Sequence, residues 1–289
     1  MEITTLRKYS QGLSAFENIA RLQDAICKSN DNNIRISFQN SQRYGKTFIF
    51  LLGCLMSLGA QYNKNVLLQL PDNLKKHFKD MSIINYGQSN QSCTQSFFRL
   101  TDDQDIIKLI QDIMNDVPVA MSERLSEAMV SLIAEVYNNA KDHSKSEYII
   151  GGCYHKSRTQ RNHDRFGISC YDAGVGMISN VQEFLLPGFY EKIKILPEID
   201  TIIQKMMIGW ALKRGNSTKG GPRGLGMNTL LDFARVNQGT VTICDKNILF
   251  KQDYDGQQIY KVLKVPFRGF FFELEIVDAP NKKYYLKGE

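Results

Sequence analysis

Between Ser122 and Ser144 the chain spaces four oxygen-bearing side chains, Ser131, Glu135, Asn139 and Asp142, three or four residues apart. Residues so spaced are neighbours along one side of a helix. The pattern therefore predicts a carboxylate, a carboxamide and a second carboxylate in a row. Such a row suits a hard cation that keeps several of its waters. Glu135 can also take a proton from water or a hydroxyl. The same segment carries an apolar stripe of Leu125, Met129, Leu132, Ile133, Val136 and Ala140, and a watery side with Glu127, Asn138 and Lys141. The polar row falls between them, at the rim of whatever core the helix covers. An ordinary amphipathic helix with polar flanks has the same pattern, so the helix alone decides nothing about function.

Two glycine boxes follow. Residues 165–171 read as a strand, running into Asp172-Ala173-Gly174-Val175-Gly176-Met177. A carboxylate at a strand end, with glycines two and four residues on, makes a polar hook beside a backbone that can pass close to something flat. The aspartate can accept a hydrogen bond from an exocyclic amine such as that of adenine, although plain turns use the same residues. Further on, Gly220-Gly221-Pro222-Arg223-Gly224-Leu225-Gly226-Met227 opens a helix that stops near Asn237-Gln238-Gly239. The free amides and dipole of a helix N-terminus bind phosphate; a flexible loop before a helix has the same composition.

The order Glu-x-x-x-Asn, Asp-x-Gly-x-Gly, then Gly-x-Gly at a helix start resembles the GHKL superfamily, which holds the ATPase domains of gyrases, heat-shock chaperones, histidine kinases and mismatch-repair proteins, with the anti-sigma serine kinases. The match covers about residues 118–277. It implies a C-terminal α/β sandwich of the Bergerat type with a mixed sheet, and ATP and Mg2+ as ligands. On that resemblance Glu135 is the acidic residue that polarises water or a substrate hydroxyl, Asn139 holds magnesium and Asp142 lies near the nucleotide. Asp172 binds adenine, Gly174 and Gly176 form the first box, and Gly224, Leu225 and Gly226 the second. The segment between the boxes becomes an ATP lid, whose Arg214, Lys219 and Arg223 could meet phosphates.

The rest of the chain frames this region. Its 289 residues are 43% hydrophobic, enough for one large or two modest cores. The net charge of +6 permits acidic ligands without indicating nucleic acid. Cys27, Cys54, Cys93, Cys153, Cys170 and Cys244 form no close pair, and His77, His143, His155 and His163 show no metal spacing with them. Six reduced thiols in a cytoplasmic protein are the simplest account. Met1-Glu2-Ile3, acidic and without an apolar run after it, is not expected to begin a signal sequence, and the 13-residue apolar run 48–60 falls short of the roughly 20 residues that cross a membrane.

The expected organisation is a small α/β regulatory or partner-binding domain over residues 1–117 and the ATP-binding domain over 118–289. In the first, an amphipathic helix carries Leu13, Phe16, Ile19, Ala20 and Ile26. Ile34–Phe38 alternates as a half-buried strand, 46–61 is a buried helix, and Val66–Leu70 is a second strand, parallel to the first. A basic helix starts at Pro71, and 86–99 reads as a loop. This unit loosely resembles the small α/β modules that regulate sigma factors. Residues 103–115 form a helix bridging the units or opening the second. Beyond the Glu135 helix, 147–154 and 165–171 pair as a hairpin with 156–164 at its tip, 201–212 is a lid helix, and 240–244, 247–251, 258–263 and 270–276 are antiparallel strands.

If ATP sits with adenine at Asp172 and magnesium at Asn139, three fates of the γ-phosphate follow: attack by water, by a serine or threonine hydroxyl, or by a histidine. Only 12 residues follow position 277, so a second domain supplying a lysine, as in gyrases, is not expected. His77 stands alone, without the partner base a nucleophile needs. An ATPase or a serine/threonine protein kinase, closest to the stand-alone histidine-kinase-like or anti-sigma type, is the expectation. The alternative is a non-catalytic ATP-dependent switch. The partner is expected to be a protein on the N-terminal unit; a homodimer stays open, and nothing indicates a membrane.

Overall fold

The computed structural model describes residues 1–5, 12–38, 45–72, 74–75, 95–116, 120–156, 164–188, 196–218, 226–278 and 283–284. The fold is mixed α/β, with one parallel and one antiparallel sheet of size.

The first 70 residues alternate strand and helix: β1 (Glu2–Thr5), α1 (Leu13–Lys28), β2 (Asn33–Phe38), α2 (Lys46–Gln61) and β3 (Asn65–Gln69). The strands form a parallel sheet in the order β1-β2-β3, as the alternation in Ile34–Phe38 and the run at Val66 require. β1 was not expected, being four residues long.

The remaining strands are β4 (Gln95–Leu100), β5 (Ala120–Met121), β6 (Ile149–Lys156), β7 (Asp164–Asp172), β8 (Thr240–Gln252), β9 (Gln258–Asp278) and β10 (Lys283–Tyr284). The helices among them are α3 (Asp103–Asp116), α4 (Glu123–His143), α5 (Gly176–Leu185), α6 (Pro197–Ala211) and α7 (Gly226–Val236). A five-stranded sheet has the order β4-β6-β7-β9-β8, with every neighbouring pair antiparallel. The mixed C-terminal sheet expected is thus corrected. Among the described residues, parallel pairing there is confined to the short β5–β10 pair.

Three other expectations change. Residues 95–99, expected as loop, pair with β6 at the sheet edge. The four last strands are two long ones. β8 runs unbroken past Asp245-Lys246 because a bulge absorbs the register shift there, and β9 carries Pro266 where its partners on β8 jump, the place a sheet tolerates proline. A helix, α5, occupies the start of the lid region.

The five-stranded sheet has helices on both faces. On one lie α3, α4 and α7, with Leu109, Ile113, Met129, Tyr137 and Phe233 buried against Ile168, Phe250 and Phe272. On the other lie α1 and α2, which also cover the parallel sheet: Phe16, Ile19, Phe50 and Leu55 share a core with Ile34, Ile36, Tyr171 and Phe271. The Phe16 and Phe271 rings meet edge-on at 5.3 Å. The layers run parallel sheet, α1–α2, antiparallel sheet, helices. The boundary expected between residues 117 and 118 separates neither core. β4 and α3 belong with the five-stranded sheet, and the α1–α2 core draws on β6 to β9.

Candidate functional site

α4 has the expected faces. Leu125, Met129, Leu132, Ile133, Val136 and Ala140 are buried, joined by Tyr137. Ser122 caps its N-terminus, its Oγ accepting the Leu125 N–H at 3.1 Å. Lys141 and His143 sit in the last turn, where cations complement the helix dipole.

The first glycine box is stapled to the end of this helix. Ser144 O accepts the Val175 N–H at 2.9 Å. Gly174 passes so close that an added Cβ would stand 1.8 Å from that oxygen, so no side chain fits there. Asn180 Nδ2 donates to His143 O and to Gly176 O, both at 2.9 Å. These contacts bring Asp172, at the end of β7, beside the last two turns of α4.

The result is a cavity of about 670 Å3, within the range of small-molecule sites. Ser131, Glu135, Asn139 and Asp142 line it from α4, Asp172 and Gly176 from the first box, and Met227 from the start of α7. Trp210, Asn216, Ser217 and Thr218 close it from α6 and the residues after it. Gly174 shapes the turn without lining the cavity. Gly226 opens α7 as expected. Lys219, Arg223, Gly224 and Leu225 lie outside the described residues. Arg214 is exposed and is not among the lining side chains.

Asp172 is 2% exposed, and its Oδ1 accepts the Gly174 N–H at 3.0 Å. Burial pushes its pKa up to about 8, against the pull of that N–H and with a further push from the Asp245 carboxylate. Burial therefore favours the neutral form of the Asp172 carboxyl. Lys141 and Asp103 both line the cavity and pair at 2.6 Å; the hydrogen bond that Lys141 donates to the Asp103 carboxylate raises the Lys141 pKa.

Oxygen donors, a deep carboxyl and the Lys141 ammonium at the rim could hold a phosphorylated ligand with a hard metal ion. Among the described residues no group of three or more His, Cys, Asp or Glu is placed to hold a metal by itself. A magnesium at Asn139 would take its other ligands from phosphate and water, its usual habit.

Reading the sequence missed Asp103, Asn180, Trp210, Phe270 and Asp245 as parts of this region. Asp245 had a signal: it continues the two-residue alternation of Val241 and Ile243, which sets a carboxylate on the core face. The others are brought in by tertiary packing, and nothing in their local sequence marks them.

A scan of protein-family models finds none that matches this chain, and a search of curated proteins finds no match. No helix among the described residues is long and apolar enough to cross a membrane.

Proposed function

We propose that this protein binds Mg-ATP in the cavity between α4, the first glycine box and the start of α7, and either hydrolyses it or passes its γ-phosphate to a partner protein. One observation supports the reading: Glu135 and Asn139 of the first motif, Asp172 and Gly176 of the second, and Met227, the residue after the second glycine box, line a single cavity although 92 positions separate Glu135 from Met227. A plain amphipathic helix and two unrelated turns have no reason to converge.

In this reading Asp172 holds the adenine amine at the cavity floor, and Asn139 orients magnesium. The bound ion neutralises phosphate charge, the usual support for phosphoryl transfer. Lys141, Ser217 and Thr218 stand where phosphate oxygens need donors. Glu135 takes the proton of the attacking water or hydroxyl. Asp142 lies one turn on, beside the nucleotide. The setting is cytoplasmic.

A second reading, a non-catalytic switch, is favoured by the shared core of α1 and α2 with the back of the same sheet. Nucleotide at one end of β7 can then be felt by a surface of the N-terminal segment that a regulatory protein covers. Incubation with γ-labelled Mg-ATP separates the cases. Free phosphate, lost in Glu135→Ala with binding retained, marks an ATPase; label on a partner marks a kinase. Binding without either, coupled to partner affinity, marks a switch. Unaltered ATP affinity in both Asp172→Ala and Asn139→Ala would exclude this pocket.

A further inference from the structure

Beneath the cavity lies a second buried carboxyl, on a strand that the glycine boxes do not include. Asp172 on β7, Phe270 on β9 and Asp245 on β8 stand in one row across the sheet. Phe270 lines the cavity between the two carboxyls. Asp245 is 1% exposed. Its Oδ2 accepts the Ile178 N–H at 2.7 Å, and the Met177 N–H bonds the same carboxylate. Gly176, with φ +80°, packs so tightly on it that a Cβ would stand 2.4 Å from Asp245 Oδ1. α5 receives no side-chain cap from its own N-cap residue, Val175. Asp245 supplies from across the sheet the acceptor that a capping side chain normally supplies from the chain itself.

We propose that Asp245 is a positioning residue of the base pocket, tying the first turn of α5 to β8 and so fixing the Asp172–Gly176 turn at the cavity floor. This rests on the nucleotide reading above and extends it to a residue outside the motifs. Its second effect is electrostatic. Burial pushes the Asp245 pKa up to about 7, opposed by the Ile178 and Met177 N–H groups and by the Lys246 ammonium. Lys246 donates to Gln182 Oε1 at 2.8 Å and also faces Asp200 of α6. The neighbouring thiols of Cys244 and Cys170 are held neutral by burial. Once ionised, Asp245 raises Asp172. A neutral carboxyl offers one O–H donor and one acceptor, whereas a carboxylate only accepts. The neutral form therefore matches the ring-nitrogen acceptor and amine donor on one edge of adenine. Burial is the main cause favouring that form of Asp172, and an ionised Asp245 adds to it.

The test uses the full chain with Asp245→Asn, which keeps an acceptor but loses the charge, and Asp245→Ala, which loses both. Carboxyl carbon resonances of ligand-free protein, followed from about pH 5 to 9, should give a lower Asp172 midpoint in Asp245→Asn. Amide exchange at Met177 and Ile178 should accelerate in Asp245→Ala. Mg-ATP affinity measured by calorimetry should fall about tenfold or more in Asp245→Ala, the scale of losing a buried charged hydrogen bond. In Asp245→Asn its alkaline fall-off should move to lower pH. A residue that only fills space would lower affinity without moving that midpoint. Unchanged midpoint and exchange in variants of a protein that binds Mg-ATP overturns this proposal alone. Failure of the unaltered protein to bind Mg-ATP overturns the nucleotide reading, and this proposal with it.

Discussion

The two faces of the five-stranded sheet bury polar groups to the same depth and treat them differently. On the face under α1 and α2, Gln23 is 1% exposed. Its amide donates to Tyr171 Oη and Arg268 O, and its oxygen accepts the Arg268 N–H. Glu273 on that face accepts from the hydroxyls of Thr47 and Ser169. Packed aromatic rings surround these groups. On the other face, Asp172 at the end of β7 and Asp245 within β8 are as deeply buried, yet backbone N–H groups are their donors and a cavity adjoins Asp172. A buried polar group whose donors and acceptors are met by other parts of the fold acts as glue. A buried carboxyl that lines a cavity and is pushed toward neutrality marks a place where a ligand can complete the set. The contrast separates a structural seam from a site within a single sheet.

The comparison is broken most severely from the seam. Phe271→Ala removes a fully buried ring that meets Phe16 and Phe50. It should cost about 3–5 kcal/mol of unfolding free energy, read by denaturant titration, with Mg-ATP affinity of the folded fraction little changed. Gln23→Ala should cost about 1–3 kcal/mol by the same measurement, since it leaves the Arg268 N–H without its acceptor.

At the site the sign reverses. Burial pushes the Asp172 pKa up to about 8 from its ordinary value of 3.8. The folded form keeps a proton that the unfolded chain gives up, so this group's contribution is fully present below the lower value and is lost as pH rises through the higher one. Asp172→Asn should therefore flatten the decline in stability across that window. It should leave the protein about 2 kcal/mol more stable at its alkaline end while weakening Mg-ATP. A gain in stability with a loss of binding is the signature of a functional strain that Gln23 and Phe271 cannot show. The smallest effect belongs to the rim. Lys141→Ala breaks an exposed pair with Asp103 and should leave the thermal midpoint unmoved, while making Mg-ATP affinity less sensitive to salt.

What could be read in the sequence follows the same division. α4 was legible in full because its three stripes repeat at the helical period, and Asp172 because a carboxylate at a strand end precedes two glycines. α1, β2, α2 and β3 were legible by alternation of strand and helix patterns. β4 was not, since residues 95–100 gain strand form by pairing with β6 rather than from their own pattern. The continuity of β8 and β9 was hidden by Asp245-Lys246 and Pro266, residues that argue for breaks until a bulge is admitted. The role of Asp245 was hidden because its donors lie 67 residues earlier in the chain. The joining of α1 and α2 to the back of the sheet rests on contacts such as Gln23 to Arg268, 245 residues apart, which no local pattern reports.

Titration calorimetry of the full chain with a magnesium complex of a nonhydrolysable ATP analogue tests the central claim most directly. The account predicts one site per chain, lost in both Asn139→Ala and Asp172→Ala variants that still unfold cooperatively. Absence of binding by the unaltered protein, or binding that both variants retain, would contradict it.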